Sequence, residues 1–401
     1  MNAVVLVLNA GSSSLKYSLV DPETGETHAS GLVERIGEAD GRVTHRSSGD
    51  THSADVRIPD HEAAIQAALD AFEEHGPALQ SAGLEAVGHR VVHGGTRFSA
   101  PTVIDDETLE GVRGLIPLAP LHNGANLEGM DVARRLFPDL PQVAVFDTAF
   151  HHTLEAHAYT YAVPLSWRDD HGVRRYGFHG TSCAYVSREA ARMLEIRPEA
   201  ANLIVLHLGN GASATAVRGG RSVETSMGLT PLEGLVMGSR SGDVDPALVG
   251  YVHRQLGWSI EDVDRALTQE SGLEGLAGDN DLRVVQDLVA SGDPRGRLAF
   301  DVYCHRIRKY VGAYYAVLGT VDAVVFTAGV GENSPLVRSA SLSGMDRLGI
   351  RIDDERNRAV GPGDAAVISP DGSEVAVLVV PTNEEYEIAR QVMSVVPGAP
   401  R

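Results

Sequence analysis

The sequence predicts an α/β protein made of two domains that share one plan, each with a mixed sheet flanked by helices. Strand-like runs alternate with helical patterns along most of the chain, which is typical of α/β architecture. The chain opens with two strands joined by a short polar tip, so the sheets must contain antiparallel pairs. A similar hairpin returns 200 residues later in a chain of 401 residues, which indicates a duplicated domain.

The first hairpin has an unusually polar tip. Residues 4–8 (VVLVL) are continuous and apolar, as in a strand covered on both faces. The six residues that follow, NAGSSS at 9–14, are small, turn-prone and rich in hydroxyl groups. After them Leu15, Tyr17 and Leu19 alternate with other residues, which predicts a half-buried second strand. The tip alone is equally consistent with an ordinary turn and with an anion-binding loop.

The second hairpin favours the anion-binding interpretation. Residues 205–217 (VLHLGNGASATAV) align with the first hairpin at a shift of 200 residues, so that Gly211 falls on Gly11 and Ser213 on Ser13. Two such tips facing an interdomain cleft would offer backbone N–H groups and hydroxyls to one anionic ligand. A third Gly-rich stretch, 327–333, is either a strand-to-helix turn or the part of the site that binds a nucleoside. The chain lacks the P-loop pattern G-x-x-x-x-G-K-[ST], and a strand is predicted after Lys16 where a P-loop needs a helix.

The remaining elements follow from periodicity and from Gly and Pro punctuation. Helices are predicted at 60–75, 105–115, 125–136, 181–195, 245–256, 259–271, 281–291 and 296–318. Strands are predicted at 86–87, 143–146, 203–208, 323–327 and 375–380.

Composition excludes several functional classes. A net charge of −20 argues against general nucleic-acid binding, although local basic sites for an anionic substrate remain possible. Two cysteines make no disulfide framework and favour a reducing compartment. The first apolar run is too short for a signal peptide, and no uncharged stretch reaches membrane-spanning length. We therefore expect a cytoplasmic protein that contacts neither nucleic acid nor membrane.

One lysine stands out in the basic composition. Of 34 basic residues only Lys16 and Lys309 are lysine, and Lys16 borders the serine-rich tip. A compact ammonium suits contact with a single phosphate oxygen in a tight loop better than a planar guanidinium does. The alternative is that a lysine stands at position 16 by chance and has no such role.

Two arginines and one histidine have side chains suited to binding anionic groups. Arg90, after a short strand, is able to grip a carboxylate with two hydrogen bonds, or to form an ordinary surface ion pair. Arg240, in a flexible loop, is able to reach a transferring phosphoryl group, or to pair with a nearby acid, Asp243 or Asp245. His179 precedes a helix and is able to donate to a phosphoryl oxygen near that positive helix end. The densest histidine cluster, around residues 151–157, lacks zinc-like spacing.

Carboxylates complete the candidate set. Asp147 ends a predicted strand, where α/β sheets place their chemistry, though an Asp there also commonly caps the next segment. A carboxylic acid substrate would already be ionised and would need no base, so we expect Asp147 to act on Mg²⁺ through water and on positioning. Near the C-terminus, Thr382 and Glu385 have capping-box spacing, which would leave Glu384 to reach a metal.

Nine segments together resemble the acetate kinase family, within the superfamily that also contains sugar kinases, Hsp70 and actin. In chain order they are LVLNAGSSSLK (6–16), VGHRVVHGG (87–95), LAPLHN (118–123), VFDTAFH (145–151), YGFHGTS (176–182), HLGNGAS (207–213), GSRSGDVDP (238–246), GVGENS (329–334) and PTNEE (381–385). The resemblance covers nearly the whole chain. It implies duplicated actin-like (ribonuclease H-like) domains, at 1–150 plus 384–401 and at 151–383, with an interdomain nucleotide cleft.

The resemblance also implies an activity and its residues. The activity is reversible, direct in-line transfer of the γ-phosphoryl group of ATP to acetate, giving acetyl phosphate and ADP, with Mg²⁺ (or Mn²⁺ in its place) and a homodimeric enzyme. The catalytic residues would be Asp147, His179 and Arg240, and the metal residues Asn9 and Glu384. The acid would be bound by Arg90, Val92, Leu121, His122, Phe178 and Pro231. ATP would be bound by Ser12, Lys16, His207, Leu208, Gly209, Asn210, Gly211, Asp281, Leu282, Arg283, Gly329, Val330, Gly331, Glu332 and Asn333.

One departure and two alternatives accompany this interpretation. Gly124 stands where the family pattern has Pro, and we expect it to loosen a loop beside the acyl pocket, which leaves acetate and propionate both possible. A propionate or butyrate kinase of the same family is the nearer alternative. A non-catalytic, actin-like nucleotide-binding protein is the remoter one, although it has no use for Arg90 and Arg240.

Overall fold

The computed structural model describes residues 3–120 and 122–396, which form two compact units. Unit 1 takes in the described residues of Met1–Phe150 and Asn383–Arg401, and unit 2 comprises His151–Thr382. Within the described ranges, no helix is both long enough and apolar enough to cross a membrane.

The strands and helices are numbered in chain order. The strands are β1 (Val4–Ala10), β2 (Ser14–Val20), β3 (Thr27–Glu34), β4 (Arg42–Ser47), β5 (Asp50–Asp55), β6 (Leu84–Val91), β7 (Thr102–Val103), β8 (Gln142–Phe146), β9 (Asn202–Leu208), β10 (Ala212–Arg218), β11 (Arg221–Thr225), β12 (Ala323–Thr327), β13 (Ala366–Val367) and β14 (Ala376–Val379). The helices are α1 (His61–His75), α2 (Asp106–Gly114), α3 (Asn123–Leu136), α4 (Ala156–Tyr159), α5 (Leu165–His171), α6 (Gly180–Met193), α7 (Ala247–Leu256), α8 (Ile260–Gln269), α9 (Gly272–Ala277), α10 (Leu282–Ala290), α11 (Pro294–Leu318), α12 (Ala328–Asn333), α13 (Pro335–Leu342), α14 (Asp354–Ala359) and α15 (Glu384–Met393).

Strand β1 lies inside the sheet of unit 1 and is covered on both faces, as its continuous apolar run predicts. One face, with Val5 and Val7, packs in a cluster with Ile388 of α15. The other face, with Leu6 and Leu8, belongs to the cluster that contains α1. The sheet runs β5-β4-β3-β2-β1-β6-β8-β7, with β1 antiparallel to β2 and parallel to β6. Helix α15, from the far end of the chain, therefore completes the core of unit 1.

Strand β2 is more buried than its alternating pattern predicts. Lys16 is exposed, but Ser18 and Val20 are buried together with Leu15 and Tyr17. The prediction of a half-buried strand is therefore wrong beyond Lys16. The reason is that both faces of the strand are covered: Leu15, Tyr17 and Leu19 belong to the cluster that contains α1, and Val20 belongs to the cluster that contains α15.

The sheet of unit 2 repeats the central part of the first sheet. It runs β11-β10-β9-β12-β14-β13, with β9 antiparallel to β10 and parallel to β12. The five-strand series β3-β2-β1-β6-β8 of unit 1 thus corresponds to β11-β10-β9-β12-β14 of unit 2. This common order confirms the duplication that the two hairpins indicate.

Candidate active site

Half-buried Arg90 and buried Asp147 form an ion pair in unit 1. Arg90 lies near the end of β6 and Asp147 directly follows β8, and these two strands are parallel neighbours. Carboxyl ends of adjacent parallel strands meet at one sheet edge, which brings the two side chains together. Arg90 Nε donates to Asp147 Oδ1 at 3.0 Å, and Arg90 Nη2 donates to Oδ2 at 2.8 Å. Asp147 thus holds the Nε–Nη2 edge of the guanidinium, while Nη1 faces Glu384.

Glu384 is the second acid beside Arg90. One of its carboxylate oxygens lies 3.5 Å from Arg90 Nη1. Burial raises the pKa of Glu384, and the positive charge of Arg90 opposes that rise. Burial would also lower the pKa of Arg90, but the charges of Asp147 and Glu384 outweigh burial and raise that pKa. Arg90 is therefore a permanent cation held between two acids.

Helix α15 begins differently from the predicted capping box. The N-cap is Asn383, whose side chain accepts from the backbone N–H of Tyr386 at 3.0 Å. Thr382 instead forms a 2.8 Å hydroxyl contact with Ser182, and Glu385 forms an ion pair with Lys16. The capping-box prediction is wrong, because an Asn one position later serves as the cap. Glu384 is the first residue of the helix, where its negative charge is favoured by the helix dipole.

Lys16 and Asn9 lie opposite each other in the β1–β2 hairpin. Burial would raise the pKa of Glu385, but its ion pair with Lys16 holds that pKa below its usual value. Asn9, Lys16, Arg90, Glu384 and Glu385 line one small cavity. The amide oxygen of Asn9 and the carboxylate of Glu384 are hard donors of the kind that Mg²⁺ prefers, and Mg²⁺ takes its other ligands from water and phosphates. The donor set therefore fits a magnesium ion with few protein ligands.

We predict that Lys16→Ala raises KM for ATP and that Lys16→Arg is also impaired, because a planar fork does not replace a point charge beside Glu385. Steady-state kinetics at subsaturating ATP measures both effects. Lys309→Arg, at the exposed second lysine of the chain, is the matched control and should behave as the parent. A Lys16→Arg variant as active as the parent would show that the identity of this cation is immaterial.

The predicted acid-binding residues are distributed over both units. In unit 1 the backbone N–H of Val92 donates to Asn126 at 3.0 Å, and His122 is the N-cap residue of α3. Leu121 lies outside the described residues. In unit 2 Phe178 is buried, and the carbonyl of Pro231 accepts from Arg240.

Gly124 does not lie in a loop as predicted. It belongs to the first turn of α3, directly after Asn123. Asn123 is fully buried, and its side chain exchanges hydrogen bonds with the backbone of His93. The expectation of a loosened loop is therefore wrong, because the buried Asn123 anchors the beginning of the helix.

His179 occupies a special backbone position in unit 2. It precedes α6 as the N-cap residue, in the left-handed region with φ 56°. Its Nδ1 lies 3.0 Å from Ser213 Oγ, and its ring stacks on His207 with centroids 4.1 Å apart. A β-carbon placed on Gly211 would lie 3.6 Å from His179 Nε2 and 3.5 Å from Arg240 Nη1. His179 and Arg240 thus border the same hairpin tip, beside the positive end of a helix.

Arg240 is a largely buried cation without an acid partner. Its Nη1 donates to the carbonyl oxygen of Pro231 at 3.0 Å, and no carboxylate of the described residues pairs with it. Burial lowers its pKa. The alternative of an ion pair with Asp243 or Asp245 is wrong, since Asp243 faces Arg306 and Tyr310, and Asp245 accepts from the N–H of Ala247. A buried guanidinium without a counter-charge is a ready site for an anion.

Three segments predicted to bind ATP border one cavity of about 500 Å³ in unit 2. Residues that line it include Gly209, Asn210, Asp281, Arg283, Gly329 and Asn333. The third Gly-rich stretch is a strand-to-helix turn, since α12 directly follows β12, and it still lines the cavity. Glu332 lies on this helix but accepts from the backbone N–H of Thr382 at 3.0 Å. The cavity has the size of a small-molecule site.

Arg338 supports this cavity and was not predicted. It is 1% exposed, and its Nη1 donates to the carbonyl oxygens of Gly331 and Glu332 at 2.9 and 2.8 Å. Its other nitrogens donate to Asn357. Burial lowers the pKa of Arg338 to about 10. Arg338 therefore fixes the last turn of α12, and nothing in its local sequence distinguishes it from a surface arginine.

Comparisons with known proteins show which family this chain resembles. The model of the acetokinase family matches residues 4–390. An acetate kinase from Streptomyces griseus is 57% identical over 396 residues, which cover 98% of this chain and 96% of that protein. The crystal structure of Porphyromonas gingivalis acetate kinase superposes with a TM-score of 0.94 at 42% identity, over 98% of this chain and 99% of that one. A propionate kinase from Francisella tularensis gives a TM-score of 0.92 at 41% identity, over 99% and 100% of the two chains.

The duplicated sheets, the paired hairpins and these full-length matches lead to one conclusion. The chain belongs to the acetokinase family.

Proposed function

We propose that this protein is an ATP:acetate phosphotransferase, which transfers the γ-phosphoryl group of ATP to the carboxylate of acetate and works reversibly with Mg²⁺. Membership of the family supports kinase activity, and the named relatives support acetate as acceptor. The observation that carries the proposal is Arg240, a largely buried cation that meets no carboxylate in residues 3–120 and 122–396 and that borders a hairpin tip together with His179. Such an arrangement stabilises negative charge on a transferring phosphoryl group.

The acceptor needs a cation and no base. Acetate is ionised near neutral pH, so its oxygen attacks phosphorus without losing a proton. Arg90 binds the carboxylate on its Nη1 side, which Glu384 also faces at 3.5 Å, because Asp147 occupies the Nε–Nη2 edge. Asp147 then acts by fixing the orientation of Arg90, and its pairing with Arg90 argues against a role as general base.

The transfer step is a direct displacement at the γ-phosphorus. A bond forms between an acetate oxygen and phosphorus while the bond from phosphorus to the β–γ bridging oxygen breaks, and ADP leaves with that electron pair. His179 and Arg240 donate to the equatorial oxygens, whose charge must be stabilised in a loose transition state. Asn9 and Glu384 would hold Mg²⁺, which supplies neutralisation of phosphate charge.

An acid series tests the proposed substrate. We expect formation of ADP that depends on acetate, with an acyl phosphate trapped as its hydroxamate, when ATP and Mg²⁺ are supplied with formate, acetate, propionate or butyrate. A higher kcat/KM for propionate would reassign the acceptor, an alternative that the Francisella structure keeps open. Absence of acid-dependent ADP formation would favour a non-catalytic nucleotide-binding protein.

The proposal includes two properties of the whole protein. The resemblance to the family implies a homodimer, and light scattering of the purified chain measures its mass directly. Both cysteines, Cys183 and Cys304, are buried thiols, which suits the reducing cytoplasm in which we place the protein.

A further inference from the structure

Arg240 lies on a ten-residue loop, 234–243, whose two ends are joined by hydrogen bonds. The backbone N–H of Asp243 donates to the carbonyl oxygen of Gly234 at 3.0 Å. In return the N–H of Gly234 donates to Asp243 Oδ1 at 2.8 Å. Gly234 has φ 109°, and a β-carbon there would lie 2.7 Å from the carbonyl oxygen of Ser226, so this end of the loop requires glycine. The base of the loop therefore has one defined geometry.

The long helix α11 fastens this base with two side chains. Arg306 Nη1 donates to the carbonyl oxygen of Gly234 at 2.9 Å, and its Nη2 donates to the carbonyl oxygen of Asp243 at 3.2 Å. The hydroxyl of Tyr310, one turn further along α11, donates to Asp243 Oδ2 at 2.9 Å. Arg306 Nη1 also lies 3.6 Å from the same carboxylate oxygen. Asp243 thus uses both carboxylate oxygens within the base of the loop, and three residues form what we call the loop clamp: Asp243, Arg306 and Tyr310.

The far part of the loop touches the groups assigned to phosphoryl transfer. The backbone N–H of Gly238 donates to the carbonyl oxygen of Asn210, at the tip of the β9–β10 hairpin, at 3.0 Å. The guanidinium of Arg240 itself is held by the carbonyl oxygen of Pro231 at 3.0 Å. Backbone hydrogen bonds also join this part of the loop to residues 267–274, among them Ser241 N–H to the carbonyl oxygen of Leu267 and Ser271 N–H to that of Ser239, both at 3.0 Å. Because no carboxylate of the described residues pairs with Arg240, the position of its guanidinium depends on the backbone of the loop. A displacement at the base would therefore move the guanidinium relative to the hairpin tip.

We propose that Asp243, Arg306 and Tyr310 are positioning residues for phosphoryl transfer, which act through Arg240 by fixing the loop that carries it. This inference rests on the proposed function, since it takes the role of Arg240 from there. None of the three residues needs to touch the substrates. Their contribution is the preorganisation of a charge-stabilising group, whose loss lowers the rate of the chemical step more than it weakens ground-state binding.

Two conservative variants test the loop clamp. Tyr310→Phe removes only the hydroxyl that donates to Asp243. Arg306→Lys keeps the positive charge, but an ammonium group cannot reproduce the two hydrogen bonds that the planar guanidinium donates to two carbonyl oxygens. We expect each variant to lower kcat about tenfold and to leave KM for ATP and for acetate nearly unchanged. This loss is smaller than the ~10²-fold loss of rate caused by misplacing a catalytic group by an ångström, because the loop keeps its other contacts. Arg308→Lys is the matched control, because Arg308 lies on the same helix and donates to the carbonyl oxygens of Ala340 and Ser341, outside the loop. It should retain the parental kcat.

A double-mutant cycle separates positioning through Arg240 from general loss of structure. In the Arg240→Ala background, Tyr310→Phe should cause no further loss of kcat, because the group that it positions is gone. An equal loss of kcat in both backgrounds would overturn the inference, as would parental kcat in Tyr310→Phe and Arg306→Lys. The proposed function fails on a different observation, namely that the parent chain forms no acetyl phosphate. An active parent with no coupling between Tyr310 and Arg240 refutes only the loop clamp.

Discussion

Replacing Arg240 with Ala should lower kcat for acetate phosphorylation by on the order of 10² or more, as loss of one preorganised donor does in other enzymes. The guanidinium is a largely buried cation that borders the hairpin tip at Gly211 and meets no carboxylate of the described residues. Its contact is therefore available to charge that develops during transfer. KM for ATP should change little, because in the proposed function the hairpin tips and Mg²⁺ supply most of the ground-state binding. Steady-state kinetics at varied ATP and varied acetate measures both constants.

A control and a second residue sharpen this prediction. Arg221→Ala, at an exposed arginine of the same unit, should leave kcat unchanged. Combining Arg240→Ala with His179→Ala should cost less than the product of the two single effects if both side chains serve one set of phosphoryl oxygens. If Arg240→Ala keeps its kcat and loses only affinity for ATP, Arg240 is a binding group and its assignment to the transition state is wrong.

Replacing Arg90 with Ala should act on both substrate binding and rate. Two charge-assisted hydrogen bonds to acetate would be lost, each worth about 1.5–3 kcal/mol, so kcat/KM for acetate should fall by on the order of 10³. KM for acetate should rise, since Arg90 holds a carboxylate that is already charged in the ground state. KM for ATP should stay near its parental value. A variant that loses kcat at unchanged KM for acetate would contradict the assignment of Arg90 to the acceptor.

The Arg90 variant needs a structural control. Removing Arg90 leaves Asp147, which is 2% exposed, as a buried carboxylate that has lost its bidentate partner, and breaking a buried pair costs about 3–5 kcal/mol. Arg90→Ala combined with Asp147→Asn removes that buried charge. The double variant should melt at a higher temperature than Arg90→Ala alone while its KM for acetate remains raised. Thermal unfolding and kinetics on the same samples thus separate folding from binding.

The parts of the fold that the sequence predicts are those with strong local patterns. Strand β1 is a continuous apolar run and α1 has an apolar stripe, and both were found within a residue or two of their observed limits. Strands β4 and β5 were not predicted. β5 is exposed along its whole length at the sheet edge, so its sequence, DTHSAD, has no buried face to mark it. Edge strands of this kind form through pairing with their neighbours, which no local pattern records.

For the candidate site, too, the sequence predicts some features and not others. The roles of an arginine for a carboxylate and of small residues at an anion-binding tip are predicted from chemistry, and they stay predictions. Partners were not, since Arg90 meets Asp147 from 57 residues away and Lys16 meets Glu385 from 369 residues away. The cap at Asn383 was mispredicted because Thr382 and Asn383 are both good N-caps, and only the backbone path decides between them.

Oxygen labelling tests the central claim most directly. The protein is incubated with ATP, Mg²⁺ and acetate that carries ¹⁸O in both carboxylate positions, and the products are followed by ³¹P NMR. Our account predicts acetyl phosphate whose phosphorus resonance shows the isotope shift of one bridging ¹⁸O, because the acetate oxygen becomes bonded to the γ-phosphorus. Formation of unlabelled inorganic phosphate at the same rate with and without acetate would contradict it.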